Sequence, residues 1–513
     1  MVARRTASPW RLLAAGALLM AAAACARPTE PADASPRHLL IVVDGLRPDY
    51  VVPDVMPALS AMGRRGVVGR RHHAVLPTVT RVNSASFSTG AYPEAHGLLG
   101  NSVYVPNVDA AAFLDTGDRA ALERIMAVTP SLLTVPTLGE VLRDAGRRML
   151  VASSGSTGSA LLNNHTVAGG AILHSAYALP ADLKETMDAA VPRPGEGATA
   201  ADRDRHAVDA FLEVGLPRID PTVTVLWLGS LDSTAHANGI GAPVTIEALR
   251  RIDAQIARIE QALASRGLAD RYNIWVTSDH GFSTHTGGVD IGALLKPFAG
   301  DTLADGSPAV VAGGGAVYVR DGDQAKIDGI VRVLQRTRGI GAIFTRAATP
   351  GSLDGAVPGT LSFDVARWDH ERSAQILYSP DWTDEANAHG FRGSTASGGT
   401  AGHGSASPWD IHNTLVAAGP NVRRGVTLET PTANVDFAPT FLASLGIALP
   451  SSMQGRPLAE ALASGGDAAV TTRTTEHSVR TSDGAYAATA IFSHATVDGR
   501  EYRYLDAIRV SRP

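Results

Sequence analysis

The chain of 513 residues holds a single cysteine, Cys25. It can therefore form no internal disulfide, even in an oxidising compartment, and offers no thiolate nucleophile or cysteine-based metal site to a mature fold. Any metal must be held by histidines and carboxylates. Long basic runs are also missing, and the formal net charge is −5 with a pI near 6.3. A surface that tracks nucleic-acid phosphates is thereby disfavoured. No internal repeat occurs, and no apolar stretch is long enough to read as a transmembrane span. The 52 glycines and 30 prolines follow no period, so the composition is that of a globular protein and not a fibrous or disordered one. The length suits two or more domains, or one large α/β domain with insertions.

The first residues stand apart. "MVARRTASPWRLLAAGALLMAAAACA" has an Arg-rich start, an apolar stretch and then small residues, the layout of a secretory signal peptide over 1–26. Its end reads two ways. "AAAC" resembles a lipobox that would leave Cys25 lipidated as a membrane tether, although Ala22 stands where leucine is usual. Cleavage after Ala26, at an Ala-x-Ala pattern, is the other reading. Both make the protein exported, periplasmic or anchored as a lipoprotein. Residues 27–36, rich in proline, form a linker.

From residue 37 onward strands and helices alternate. "LLIVV" at 39–43, "MLVAS" at 149–153, "VTVLWLG" at 223–229 and "YNIWVTS" at 272–278 are short apolar runs of the kind buried on both faces of a parallel sheet. Thr137 with Glu140 predicts a capped helix start. Ile246, Leu249, Ile252, Ile256, Ile259 and Leu263 recur at steps of three and four, and Gly267 supplies a stop. The pattern predicts an α/β fold with a mostly parallel sheet sandwiched between helices over 37–465. Residues 290–385 break the alternation and read as an inserted α+β subdomain. Residues 466–513 read as a β-rich tail with a hairpin turn near Asp498-Gly499.

Three acidic residues sit just past apolar strands: Asp44, Asp232 and Asp279. Ligands bind beyond the carboxyl ends of strands in open α/β sheets. Singly, each is an ordinary turn or cap residue. Together they would repel one another unless a cation neutralised them. His236 follows Asp232 by four residues, His280 follows Asp279 directly, and His403 lies in "GGTAGHGS". Such oxygen and nitrogen donors suit Zn²⁺, and a pair of such sites forms a phosphoryl-transfer clamp. A hydroxyl in "LPTVTRVN", Thr78 or Thr80, is either a helix cap or a nucleophile.

Six stretches in order, "VVDGLRPDY", "PTVTRVN…STGAYPEAHGLLGN", "LDSTAHANG", "TSDHGF", "GTAGHGS" and "NVDFAPTFLASLGI", resemble the alkaline phosphatase superfamily in its nucleotide pyrophosphatase/phosphodiesterase branch. The resemblance spans residues 38 to about 456 and implies an alkaline-phosphatase-like core. It also implies two Zn²⁺ ions, one on Asp232, His236 and His403, the other on Asp44, Asp279, His280 and Thr80; Mn²⁺ or Fe also suits one of these sites. Thr80 is then the nucleophile of two in-line displacements, Asn101 contacts a phosphoryl oxygen, and Thr78 is left as the cap. The other histidines, His72, His73, His96, His285 and His412, are read as packing, capping or surface residues. The partner implied is a small-molecule phosphate ester.

The chain departs from that pattern at Arg81, where nucleotide-cleaving members carry phenylalanine near the base. Arg81 is a candidate for binding a charged substrate group, or a salt-bridged helix residue. Threonine monoesterases add a Lys/Arg pair, and "MLVASSGSTGSALLNNHTVAGG" at 149–170 holds neither residue. The leading expectation is an exported two-zinc hydrolase of phosphate diesters or pyrophosphates. A phosphomonoesterase or phosphonate hydrolase is the alternative, and a non-catalytic surface lipoprotein a more distant one.

Overall fold

Alternate residues of a strand face opposite sides of a sheet, so an uninterrupted apolar strand needs a cover on each face. The first strand shows this directly: Leu39, Ile41 and Val43 enter one core cluster, Leu40 and Val42 another. The computed structural model describes residues 1–2, 35–465 and 469–512. The expected leader beyond Val2, with Cys25, and the linker up to residue 34 lie outside the described residues.

A ten-stranded sheet organises the chain. Its strands are β1 (Arg37–Val43), β2 (Val67–His73), β3 (Met149–Ser153), β4 (Ala171–His174), β5 (Tyr177–Leu179), β6 (Val223–Leu228), β7 (Tyr272–Thr277), β8 (His412–Ala418), β9 (Val426–Leu428) and β10 (Thr432–Ala433). Their order is β9-β2-β8-β7-β1-β6-β3-β4-β5, with β10 beside β2. β1 lies parallel between β6 and β7, and β3 parallel between β6 and β4. β8 runs against both its neighbours, and β5 against β4. The sheet is thus mostly parallel, as the apolar runs predict.

Helices α1 (Pro57–Arg65), α2 (Thr80–Thr89), α3 (Ala200–Ala210), α4 (Ser230–Asn238) and α5 (Pro243–Ser265) flank the sheet. On α5, Leu249, Ile252, Ile256, Ile259 and Leu263 are buried, while Ile246 packs at the edge. Five such side chains contribute on the order of 10 kcal/mol of gross apolar burial. α5 ends just before Gly267, whose φ of +68° suits glycine. Thr137 and Glu140 form a capping box on Leu138–Asp144. The spacing rules did not foresee the π-helical continuation of α3 through Phe211–Ile219, which holds Pro217.

A five-stranded sheet occupies Val310–Gly313, Ala316–Val319, Ile340–Thr345, Leu361–Ser362 and Ile376–Pro380. An antiparallel sheet of three strands, Thr471–Arg480, Ala487–Val497 and Arg500–Ser511, turns at Asp498-Gly499, where both residues have positive φ. The two sheets share one core: Ile343, Phe344 and Ile376 meet Ala490, Phe492 and Ile508. Among the described residues, no helix is long and apolar enough to cross a membrane.

Candidate functional site

Because β6, β1 and β7 are adjacent and parallel, their carboxyl ends share one edge. Asp44 leaves β1 there. Gly45 makes the turn at φ +76°, where a Cβ would stand 2.9 Å from the Phe282 ring, and its N–H donates to Asp279 Oδ1 at 3.2 Å. Asp279 and His280 follow β7. Asp232 and His236 are four residues apart on α4 and so share a face. His403 enters from the loop after the short strand Ala401–Gly402.

The six side chains form two candidate metal-binding groups, Asp232/His236/His403 and Asp44/Asp279/His280, and within each the donor atoms lie within 4.8 Å of one another. The groups adjoin, since the His280 and His403 rings stack with centroids 3.4 Å apart. All three imidazoles are held alike. Nδ1 of His236 contacts the Ala401 carbonyl at 2.8 Å, that of His403 the Thr78 carbonyl at 2.8 Å, and that of His280 the Gly281 carbonyl at 2.9 Å. A carbonyl only accepts, so each Nδ1 is the donor, and in the neutral ring that a metal requires each Nε2 presents a lone pair.

Those lone pairs face carboxylate oxygens. His236 Nε2 is 3.2 Å and His403 Nε2 3.6 Å from Asp232 Oδ1. His280 Nε2 is 3.1 Å from Asp279 Oδ2 and 3.4 Å from Asp44 Oδ1. These three oxygens are buried and have no hydrogen-bond partner. Buried acceptors facing acceptors are costly without a cation between them, so the residues fit two metal ions. Burial, then the charges of Asp279 and Asp232, pushes the Asp44 carboxyl well above its usual range. Burial acts upward on Asp232 too, but the neighbouring His236, His403 and His280 hold it at about 2. Burial, with His280 nearby, lowers His403 to about 3, which keeps it the neutral imidazole a metal requires. Trp227 Nε1 donates to Asp44 Oδ2 at 3.0 Å and orients that carboxylate.

Thr80 is the first residue of α2, buried, with Oγ1 3.3 Å from His280 Nε2. Thr78 is not the helix cap. Val79 holds that position and its side chain carries no acceptor; Asn101 Oδ1 supplies one instead, taking the Arg81 N–H at 3.0 Å. Thr78 Oγ1 donates to the Ser405 carbonyl at 2.9 Å and accepts from Gly404 N–H at 3.1 Å, which clamps the His403 loop. The Arg81 guanidinium lies 3.5 Å from Asp115, and its Nε is buried without a partner. Arg81 and Thr80 face a cavity of about 290 Å³. Another of about 290 Å³ borders Asn101 and His403.

Two residues of this site escape the sequence reading. Arg203 lines the first cavity from α3, and Asp204 anchors that helix by accepting from Ser154 Oγ at 2.5 Å and Gly229 N–H at 3.0 Å. The stretch at 149–170 holds no basic residue, as the sequence reads, but a helix later in the chain brings Arg203 to the cavity beside Arg81. A third cluster, His73/His412/Asp506, also gathers donors within 4.8 Å. Here His73 Nε2 makes a 2.8 Å hydrogen bond to Asp506 Oδ1, and Oδ2 accepts from Ser493 Oγ at 2.5 Å. No oxygen of Asp506 is left orphaned, so this cluster reads as a tie between the central sheet and the C-terminal strands. His72 sits between Thr432 and Asn434, His96 contacts Ser86, and His285 contacts the Gly398 carbonyl.

Comparison with known proteins supplies the remaining constraint. Residues 38–382 match the family described as type I phosphodiesterase / nucleotide pyrophosphatase. Human ectonucleotide pyrophosphatase/phosphodiesterase family member 7 is 26% identical over 278 residues, 54% of each chain. The chain spans about half the length, or less, of the curated relatives it matches. The structure of murine ectonucleotide pyrophosphatase/phosphodiesterase 5 superposes with a TM-score of 0.58 at 15% identity, covering 83% of this chain and 100% of that one. A mutant of alkaline phosphatase PafA superposes with a TM-score of 0.63 at 16% identity, covering 83% of this chain and 99% of that one.

Proposed function

The chain belongs to the type I phosphodiesterase / nucleotide pyrophosphatase family, the nucleotide pyrophosphatase/phosphodiesterase branch of the alkaline phosphatase superfamily, and from that footing we propose an exported two-zinc hydrolase of phosphate diesters or pyrophosphates. One observation carries the reading: three buried, unpartnered carboxylate oxygens face the Nε2 atoms of three imidazoles beside a buried threonine hydroxyl. Asp232, His236 and His403 would hold one zinc, and Asp44, Asp279, His280 and Thr80 the other. When bound, the ions lower the pKa of a coordinated hydroxyl and offset charge on phosphoryl and leaving oxygens.

The residues do the rest. Thr80 Oγ1, deprotonated to solvent, attacks phosphorus; the ester P–O bond breaks and the departing alkoxide takes a proton. Water then cleaves the P–Oγ1 bond and restores the hydroxyl. The start of α2 adds a favourable dipole at Thr80. Asn101, its Oδ1 committed to Arg81 N–H, keeps an NH₂ group to meet a phosphoryl oxygen. One cavity is lined by Thr80 and another by Asn101 and His403, which gives room for a phosphorus carrying two arms. A monoester reading is favoured by Arg203, which restores a cation near the phosphate. The leader at 1–26 supports export, with Cys25 as the lipidated tether.

Initial rates of zinc-loaded protein on bis-p-nitrophenyl phosphate and p-nitrophenyl phosphate test the reading. A diester preference abolished in Thr80→Ala is expected. A monoester preference would establish the second reading, and silence on both substrates with two zinc ions bound would overturn the hydrolase.

A further inference from the structure

The cavity beside Thr80 collects cations from separate parts of the chain. Arg81 comes from α2 and Arg203 from α3, 122 positions apart in the numbering, and both line the same space of about 290 Å³. Neither guanidinium is well paired. Arg81 reaches Asp115 only at 3.5 Å, the Asp115 side chain is 69% exposed, and Arg81 Nε is buried without a partner. Arg203 donates through Nη1 to the Ala198 carbonyl at 3.0 Å and, among the described residues, has no carboxylate partner.

The surroundings suit an anion. Thr80, Ala200 and Ser230 are each the first residue of a helix, so the positive ends of α2, α3 and α4 face the cavity. Ser156 and Ser233 add hydroxyls. The carboxylates in the lining, Asp44 and Asp232, belong to the two metal groups. The buried Asp204 carboxylate is outside the lining and accepts hydrogen bonds from Ser154, Gly229 and Ser230, which line the cavity, and so fixes α3 with Arg203 at the cavity wall. Among the described residues, no aromatic side chain lines the space, so a nucleobase finds no stacking partner there.

We propose that this cavity is an anion subsite in which Arg203 and Arg81 bind a second phosphate group, carried on one ester arm of the substrate. The proposal deepens the reading of Thr80 as the nucleophile and rests on it. A planar guanidinium pairs bidentately with a phosphate, and such charge-assisted bonds are the stronger kind. The substrate class is therefore a phosphate diester, or a pyrophosphate, bearing a further terminal phosphate.

Inhibition of bis-p-nitrophenyl phosphate hydrolysis by 1,3-propanediol bisphosphate and by propyl phosphate tests it. The bisphosphate is expected to inhibit at least about 10-fold more tightly. Arg203→Ala and Arg203→Gln should collapse that ratio toward one. Arg205→Ala removes the same charge from the same helix outside the cavity lining and should keep it. Equal inhibition by the two compounds, or a ratio untouched by either Arg203 variant, overturns the subsite. Absence of turnover would count against the hydrolase reading alone; calorimetric titration of the two compounds into zinc-loaded wild-type and Arg203→Ala protein would then decide the subsite by the same ratio.

Discussion

His280 and His403 stack face to face, centroids 3.4 Å apart and planes 11° from parallel, although they belong to different donor groups. The contact joins the end of β7 to a loop over a hundred residues later. It brings two clusters of opposed acceptors to one place, which only positive charge can stabilise. Metal content should follow the clusters. Wild-type protein should carry two ions per chain by inductively coupled plasma mass spectrometry, and His403→Ala should retain no more than one. A variant that kept both would remove His403 from the ligand set.

Trp227 supports Asp44 from behind through a 3.0 Å hydrogen bond. Trp227→Phe removes the N–H while leaving an aromatic ring against Phe87. Metal affinity should fall about 10–100-fold, the usual effect of losing an outer partner. Competition with a fluorescent chelator measures it. An unchanged affinity would show that Asp44 is oriented without Trp227.

Thr78 holds the His403 loop through two hydrogen bonds. Thr78→Val should cost about 1–3 kcal/mol in denaturant unfolding, because a buried donor and acceptor lose their partner. Thr78→Ser should recover most of that loss. If valine were as stable as threonine, the loop would be held by other contacts.

His38 offers a pH prediction away from the site. Burial lowers its imidazole to about 3 from 6.5. Trp275 Nε1 donates to its Nδ1 at 3.2 Å, and its Nε2 donates to Ser444 Oγ at 2.6 Å, so the folded form is neutral. The unfolded chain therefore binds the extra proton first. Stability should fall as pH drops from about 6.5 toward 3, by up to ~1.4 kcal/mol per pH unit from this residue. His38→Asn should flatten that slope by one proton's worth. Urea unfolding across pH 7 to 4, with chelator throughout so that metal release does not enter, checks it; an unaltered slope would contradict it.

The parts of this molecule that repeat a physical rule are readable in its sequence. Strands buried on both faces must be mostly apolar, which marks Met149–Ser153 and Tyr272–Thr277. A long helix against a core must repeat its apolar face, which marks α5. Acidic residues just past such strands point to the shared edge where Asp44, Asp232 and Asp279 meet. Contacts that depend on tertiary placement leave no such trace. Thr78 looks like a cap, yet Asn101 takes the capping role from outside the helix. Arg203 looks like one more basic residue on an exposed helix turn, and only the docking of α3 through Asp204 brings it to the cavity. His73 and His412 carry no local pattern that separates a sheet-to-tail tie from surface residues.

The central claim is that Thr80 becomes covalently phosphorylated. Zinc-loaded protein should be mixed with excess bis-p-nitrophenyl phosphate, quenched in acid within the first turnovers, digested and read by peptide mass spectrometry. The account predicts a p-nitrophenylphosphoryl group on Thr80 in the wild type, and neither label nor turnover in Thr80→Ala. Turnover that persists in Thr80→Ala, or a label on any other residue, would contradict it.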